Sequence, residues 1–88
     1  MILQGKYVVG EIRGENFKRI KTAVIIPRTV NHIDLERLVV IPMSAGFFNI
    51  SVDDKDTIIV STYGRSETLN LDSVEEDNGM VRHALGLI

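Results

Sequence analysis

The chain contains no cysteine, two prolines, and no apolar run approaching a membrane span. Each absence excludes something. Without cysteine there is no disulfide staple and no thiolate for zinc, and the composition fits a reducing, cytoplasmic setting. A spanning helix takes roughly 18 or more consecutive apolar residues, so no membrane helix is expected. The opening Met1-Ile2-Leu3-Gln4-Gly5-Lys6 has no charged region leading into a long apolar stretch, and no signal peptide is read there. Neither G-x-G-x-x-G nor a phosphate-binding P-loop occurs, and no serine sits in a nucleophile elbow. No cofactor is implied, and no catalytic constellation stands out, so enzyme activity is not expected.

What remains is globular in composition, with 44% hydrophobic and 25% charged residues in 88 positions. That length allows one domain with a thin core, and thin cores are often completed by self-association. The net charge of −2 argues against nucleic-acid binding. It divides unevenly: residues 1–44 carry seven basic and four acidic side chains, residues 45–88 three basic and eight acidic. Two oppositely charged halves packed together would account for this, as would a polar molecule able to associate head-to-tail.

Residues 6–13, KYVVGEIR, and 18–26, KRIKTAVII, are rich in β-branched side chains and flank a Gly14-Glu15-Asn16 turn, predicting a hairpin. The second strand ends in Ala23-Val24-Ile25-Ile26, apolar on both faces, which predicts a central or doubly covered position. Residues 28–42 form a crossover, with a short helical turn over Asp34–Leu38 and Pro42 as its end. Residues 44–71 then read as a three-stranded meander. Phe48, Ile50 and Val52 alternate with Phe47, Asn49 and Ser51, and the Asp53-Asp54-Lys55-Asp56 turn leads into TIIVSTY. Gly64-Arg65 has the form of a type II′ turn before SETLNL. A C-terminal helix follows, with Ser73 as N-cap, Glu76 completing a capping box, and Gly86 as its C′ residue. Val74, Val81, Leu85 and Ile88 form its apolar stripe, widened by Met80 and Ala84. The expected class is α+β: about five mainly antiparallel strands, flat or curled into a half-open barrel, one C-terminal helix and a short crossover helix.

The segment 64–87 carries Gly64, Ser66, Leu69 and Leu71, then Ser73, Glu76 and Asp77, and a helix closing on Leu85-Gly86. In this pattern it resembles short uncharacterised bacterial proteins of similar size, of the kind carried by integron cassettes and other mobile elements. That resemblance implies no activity.

Three residue groups invite a functional reading. Phe47, Ile59 and Tyr63 fall on the strand face opposite Phe48. If the helix covers the Phe48 face, they form an exposed apolar-aromatic patch suited to self-association or partner binding. Arg28, His32 and Arg65 could line a small-molecule or nucleotide pocket between crossover and sheet. Arg13, Lys18, Arg19 and Lys21, with Phe17 among them, form a basic hairpin tip able to hold phosphate and stack a base.

Two further groups have ordinary explanations. His32 near Asp34 lacks an attached nucleophile, and His83 suits a helix C-terminus. Asp53, Asp54 and Asp56 lack EF-hand spacing and are common turn residues, so no metal site is expected. The expectation is therefore a small non-enzymatic binding module that forms a homodimer, with the pocket and nucleic-acid readings as alternatives.

Overall fold

The computed structural model describes residues 3–14, 16, 18–31 and 39–87, with the backbone alone for Val40. Its elements in chain order are β1 (Leu3–Arg13), β2 (Arg19–Ile26), β3 (Val39–Val52), β4 (Ile58–Tyr63), β5 (Arg65–Ser66), β6 (Leu71–Asp72) and α1 (Asp77–Ala84). The first four make an antiparallel sheet in the order β2-β1-β3-β4, and β5 pairs with β6 in a separate two-stranded ribbon. The sheet does not close into a barrel, because β2 and β4 are its two edges among the described residues. The expected crossover helix over Asp34–Leu38 lies outside the described residues. No helix among the described residues is long and apolar enough to cross a membrane.

Both hairpins form where alternation and turn residues placed them. Lys6 pairs with Ile26 and Arg13 with Arg19 in the first; Phe47 pairs with Tyr63 and Val52 with Ile58 in the second. The Asp53 carboxylate caps the second turn by accepting the Lys55 and Thr57 amides at 2.8 and 2.9 Å. Asp56 there takes φ 60°, a conformation that Asp tolerates better than most residues.

Three expectations need correction. The strand ending in Ala23–Ile26 is an edge and not central, although its end is covered on both faces; the inner strands are β1 and β3, and in β1 Tyr7, Val8 and Val9 are each at most 1% exposed. Ala23 and Ile26 are buried nonetheless, since each sheet face carries its own apolar cluster. Pro42 does not end the crossover but lies inside β3, opposite Gly10. The register slips on both sides of it, between Val9 and Gly10 and between Glu11 and Ile12. Such irregularities admit a proline that a regular ladder would reject. Gly10 is needed there, because a Cβ on it would sit 2.3 Å from the Ile41 carbonyl oxygen. The third correction concerns residues 66–71, which do not return to the sheet as a strand. Gly64 takes φ 75°, and the chain leaves the plane to form the β5–β6 ribbon, closed through Asn70 at φ 54°.

Two apolar clusters result. Between the sheet and α1 lie Tyr7, Val9, Ala23, Phe48, Ile50, Val60 and Val81, joined by Met80, Leu85 and Leu87. On the opposite face Val8, Ile26, Val39 and Ala45 are covered in part by Leu69 and Leu71 of the ribbon. The helix ends as the sequence predicts. Gly86 has φ 74°, its amide donates to the His83 carbonyl, and the Leu87 amide donates to the Arg82 carbonyl, which is a Schellman close. Its apolar stripe is narrower than expected: Val74 is 47% exposed and Ala84 is exposed, while Ile88 lies outside the described residues.

Candidate functional site

The helix begins differently from its expected capping box. Glu76 at the N-cap makes no side-chain cap among the described residues, and the Ser73 hydroxyl instead donates to the Gly64 carbonyl at 2.8 Å. The capping acid is Asp77, one position later. Its Oδ2 accepts the Val74 amide at 3.1 Å, the reciprocal half of a capping box moved along by one residue. Satisfying that amide turns the carboxylate inward, where it is 2% exposed.

There it meets two hydroxyls from the sheet. The Tyr7 phenol of β1 donates to Oδ2 at 2.5 Å, and the Ser44 hydroxyl of β3 donates to Oδ1 at 2.8 Å. Tyr7 and Ser44 share the helix-facing side, since Tyr7 lies opposite Gly46 and Ser44 opposite Val9. A buried carboxylate is costly unless donors replace its water, and three do so here. Among the described residues no buried side-chain polar atom is left without a partner. Burial first, then the hydrogen bond and the negative charge of Asp77, push the Tyr7 phenol well above its ordinary value, so it stays protonated. Both hydroxyls donate to an acceptor that is already shared. The cluster therefore latches helix to sheet. It borders a cleft of ≈ 220 Å³ whose walls include Val9, Lys21, Met43 and Met80.

The residues singled out from sequence are placed as follows. Phe47, Ile59 and Tyr63 share the face away from α1, because Phe47 pairs with Tyr63 and Ile59 with Ser51. The Phe47 and Tyr63 rings stack with centroids 5.8 Å apart and planes at 25°. Ile59 and Tyr63 are each 41% exposed.

Arg28 and Arg65 are not brought together: Arg28 follows edge strand β2 and Arg65 follows the opposite edge β4. Arg28 donates to the Gln4 side chain at 2.5 Å and borders an apolar groove of ≈ 480 Å³ that includes Leu3, Ile25 and Phe48. Arg65 is engaged by Asn70, Glu67 and Asp72. The third member, His32, lies outside the described residues.

Arg13, Lys18, Arg19 and Lys21 are all exposed at the first hairpin, with Glu11 3.9 Å from Arg19; Phe17 lies outside the described residues. His83 is exposed in the last turn of α1. No group of three or more His, Cys, Asp or Glu side chains able to hold a metal ion occurs among the described residues.

Sequence reasoning missed the Tyr7–Ser44–Asp77 cluster. A tyrosine inside a strand of valines was the available signal, because a buried phenol needs a partner. Nothing local said which acid would supply it. No protein-family model, curated protein or solved structure matches the chain.

Proposed function

We propose that this protein is a small non-enzymatic binding module that self-associates through the face formed by Phe47, Ile59 and Tyr63. The observation that carries the reading is the stacked Phe47–Tyr63 pair beside Ile59 on the side of the sheet that α1 does not cover. Rigid aromatic side chains at a partly exposed sheet surface offer large contact area at little cost in rotamer entropy. The polar cluster under the helix supports this reading indirectly, since its donors and acceptors are consumed by the fold.

The test is the oligomeric state by native mass spectrometry or sedimentation at low micromolar concentration. The wild type is expected to dimerise. Ile59→Glu and Tyr63→Glu are expected to weaken the dimer about tenfold or more each with the fold retained, Tyr63→Glu costing about 1 kcal/mol of stability for the lost stack on Phe47. A folded Tyr63→Glu variant that dimerises like wild type would remove this face from consideration.

A second reading has one observation in its favour. Arg28 stands at the rim of the apolar groove lined by Leu3, Ile25 and Phe48, an arrangement suited to a small carboxylic acid with a hydrocarbon body. A monomer carrying extra mass in the native spectrum would favour it over self-association.

A further inference from the structure

The outer edge of β4 is closed in an unusual way. Thr62 donates its backbone amide to Asn78 Oδ1 at 2.9 Å, and the Ile58 carbonyl accepts from Arg82 Nη1 at 3.0 Å. Asn78 and Arg82 stand four residues apart on α1, so both project from one side of the helix. A strand exposes its outward amide and carbonyl on alternate residues. If Thr62 points outward, so do Val60 and Ile58. The helix thus supplies one acceptor and one donor where a neighbouring strand would supply them.

The spacing of these groups has a consequence for symmetry. A second β4 laid antiparallel about a two-fold axis at Val60 would place its Ile58 carbonyl on the Thr62 amide and its Thr62 carbonyl on the Ile58 amide. Val60 would pair with its own copy. The strand suits such pairing: Ile58-Ile59-Val60-Ser61-Thr62-Tyr63 contains no charge, proline or glycine, the usual devices that spoil an edge. Ile58, Ile59 and Tyr63 are each at least 37% exposed beside it.

We propose that the β4 edge is a strand-pairing site for a second copy of this chain, kept closed by Asn78 and Arg82 of α1. This rests on the self-association reading and moves the contact from the aromatic face to the strand edge beside it, so that Ile59 and Tyr63 flank the seam between the copies. Pairing about Val60 sets Ile59 against the partner's Ser61 and joins the two aromatic faces into one continuous surface across eight strands. When α1 gives up its edge contacts, the Thr62 amide and the Ile58 carbonyl each gain a bond to the partner strand, while the Thr62 hydroxyl, which also donates to Asn78 Oδ1, is left to water. The helix therefore biases the equilibrium between monomer and dimer without blocking it outright.

The experiment compares dimer dissociation constants of the wild type, N78A/R82A, and N78A/R82A carrying Ile58→Pro. The proline removes an outward amide and leaves the inner β3 ladder intact, at the first residue of an edge strand, where proline is tolerated. Freeing the edge is expected to tighten the dimer about tenfold, and the proline to reverse that gain. A mixed-isotope sample is also expected to show a cross-chain contact between the Ile59 and Ser61 α-protons, which face each other as a non-hydrogen-bonded pair. A folded N78A/R82A variant with an unchanged dissociation constant overturns the proposal. If that variant does not fold, the wild-type dimer decides: a dimer lacking the Ile59–Ser61 contact overturns it, and one showing the contact supports it. Failure of the edge alone leaves a dimer that still dissolves with Tyr63→Glu. If the wild type and N78A/R82A are both monomers at millimolar concentration, the aromatic-face reading fails as well.

Discussion

The two faces of the sheet are built from neighbouring residues and end up with opposite characters. Phe48 and Phe47 are adjacent on β3, yet Phe48 is 1% exposed against α1 while Phe47 stacks on a Tyr63 that is 41% exposed. The helix-side face is sealed by an apolar cluster around Val81 and by a buried carboxylate shared among three donors. Among the described residues the other is met by Leu69 and Leu71 of the ribbon and by Val30 of the crossover. One helix with a single buried apolar residue, Val81, can close one face of a four-stranded sheet, and the remaining apolar area must be met by loops or by another molecule.

This contrast can be broken most sharply by truncating the two phenylalanines in turn. Phe48→Ala is expected to cost about 4 kcal/mol and Phe47→Ala less than about half of that, since the penalty follows burial and the residual cavity. Equal losses in urea denaturation would show that the second face is closed as tightly as the first. The next effect belongs to the latch. Asp77→Ala strands the Tyr7 and Ser44 hydroxyls and the Val74 amide, with an expected loss of about 3 kcal/mol. A loss under about 1 kcal/mol would mean that water replaces the carboxylate.

The alkaline limb sharpens the same point. Tyr7 is held above its ordinary value in the folded chain, so its protonated form contributes stability that is fully present below about pH 10. That contribution is lost as pH rises from the unfolded value toward the folded one, at up to about 1.4 kcal/mol per pH unit. Tyr7→Phe is expected to flatten this limb, at a cost of about 2 kcal/mol near neutrality. The smallest effect is a gain. A Cβ on Gly79 meets nothing within 4 Å, so Gly79→Ala is expected to raise stability by about 0.5–1 kcal/mol in the same melts.

Much of this fold is legible locally. The hairpin turns at Gly14–Asn16 and Asp53–Asp56 separate strands whose alternation is plain, and Gly86 marks the helix end where the Schellman bonds form. Phe47, Ile59 and Tyr63 share a face by parity alone. Legibility fails where a local pattern supports two outcomes. Ser66–Leu71 alternates as a strand should, but the ribbon it joins is set by where Gly64 and Ser73 meet. Ser73-x-x-Glu76 and Val74-x-x-Asp77 both have capping-box spacing in part, and the acid that won is the one reached by Tyr7, seventy positions away.

The sequence by itself therefore determined the periods, the turns, the helix C-terminus and the division of β3 and β4 into two faces, because these depend on φ preferences and side-chain alternation within a few residues. Only the tertiary structure decided that β1 is central and β2 an edge, that Pro42 sits at a break in the register, and that Asp77 is buried while Glu75 and Glu76 stay exposed. Those outcomes hang on pairings between residues far apart in the chain. Each is settled by the summed burial and hydrogen bonding of the whole domain, which no local window contains.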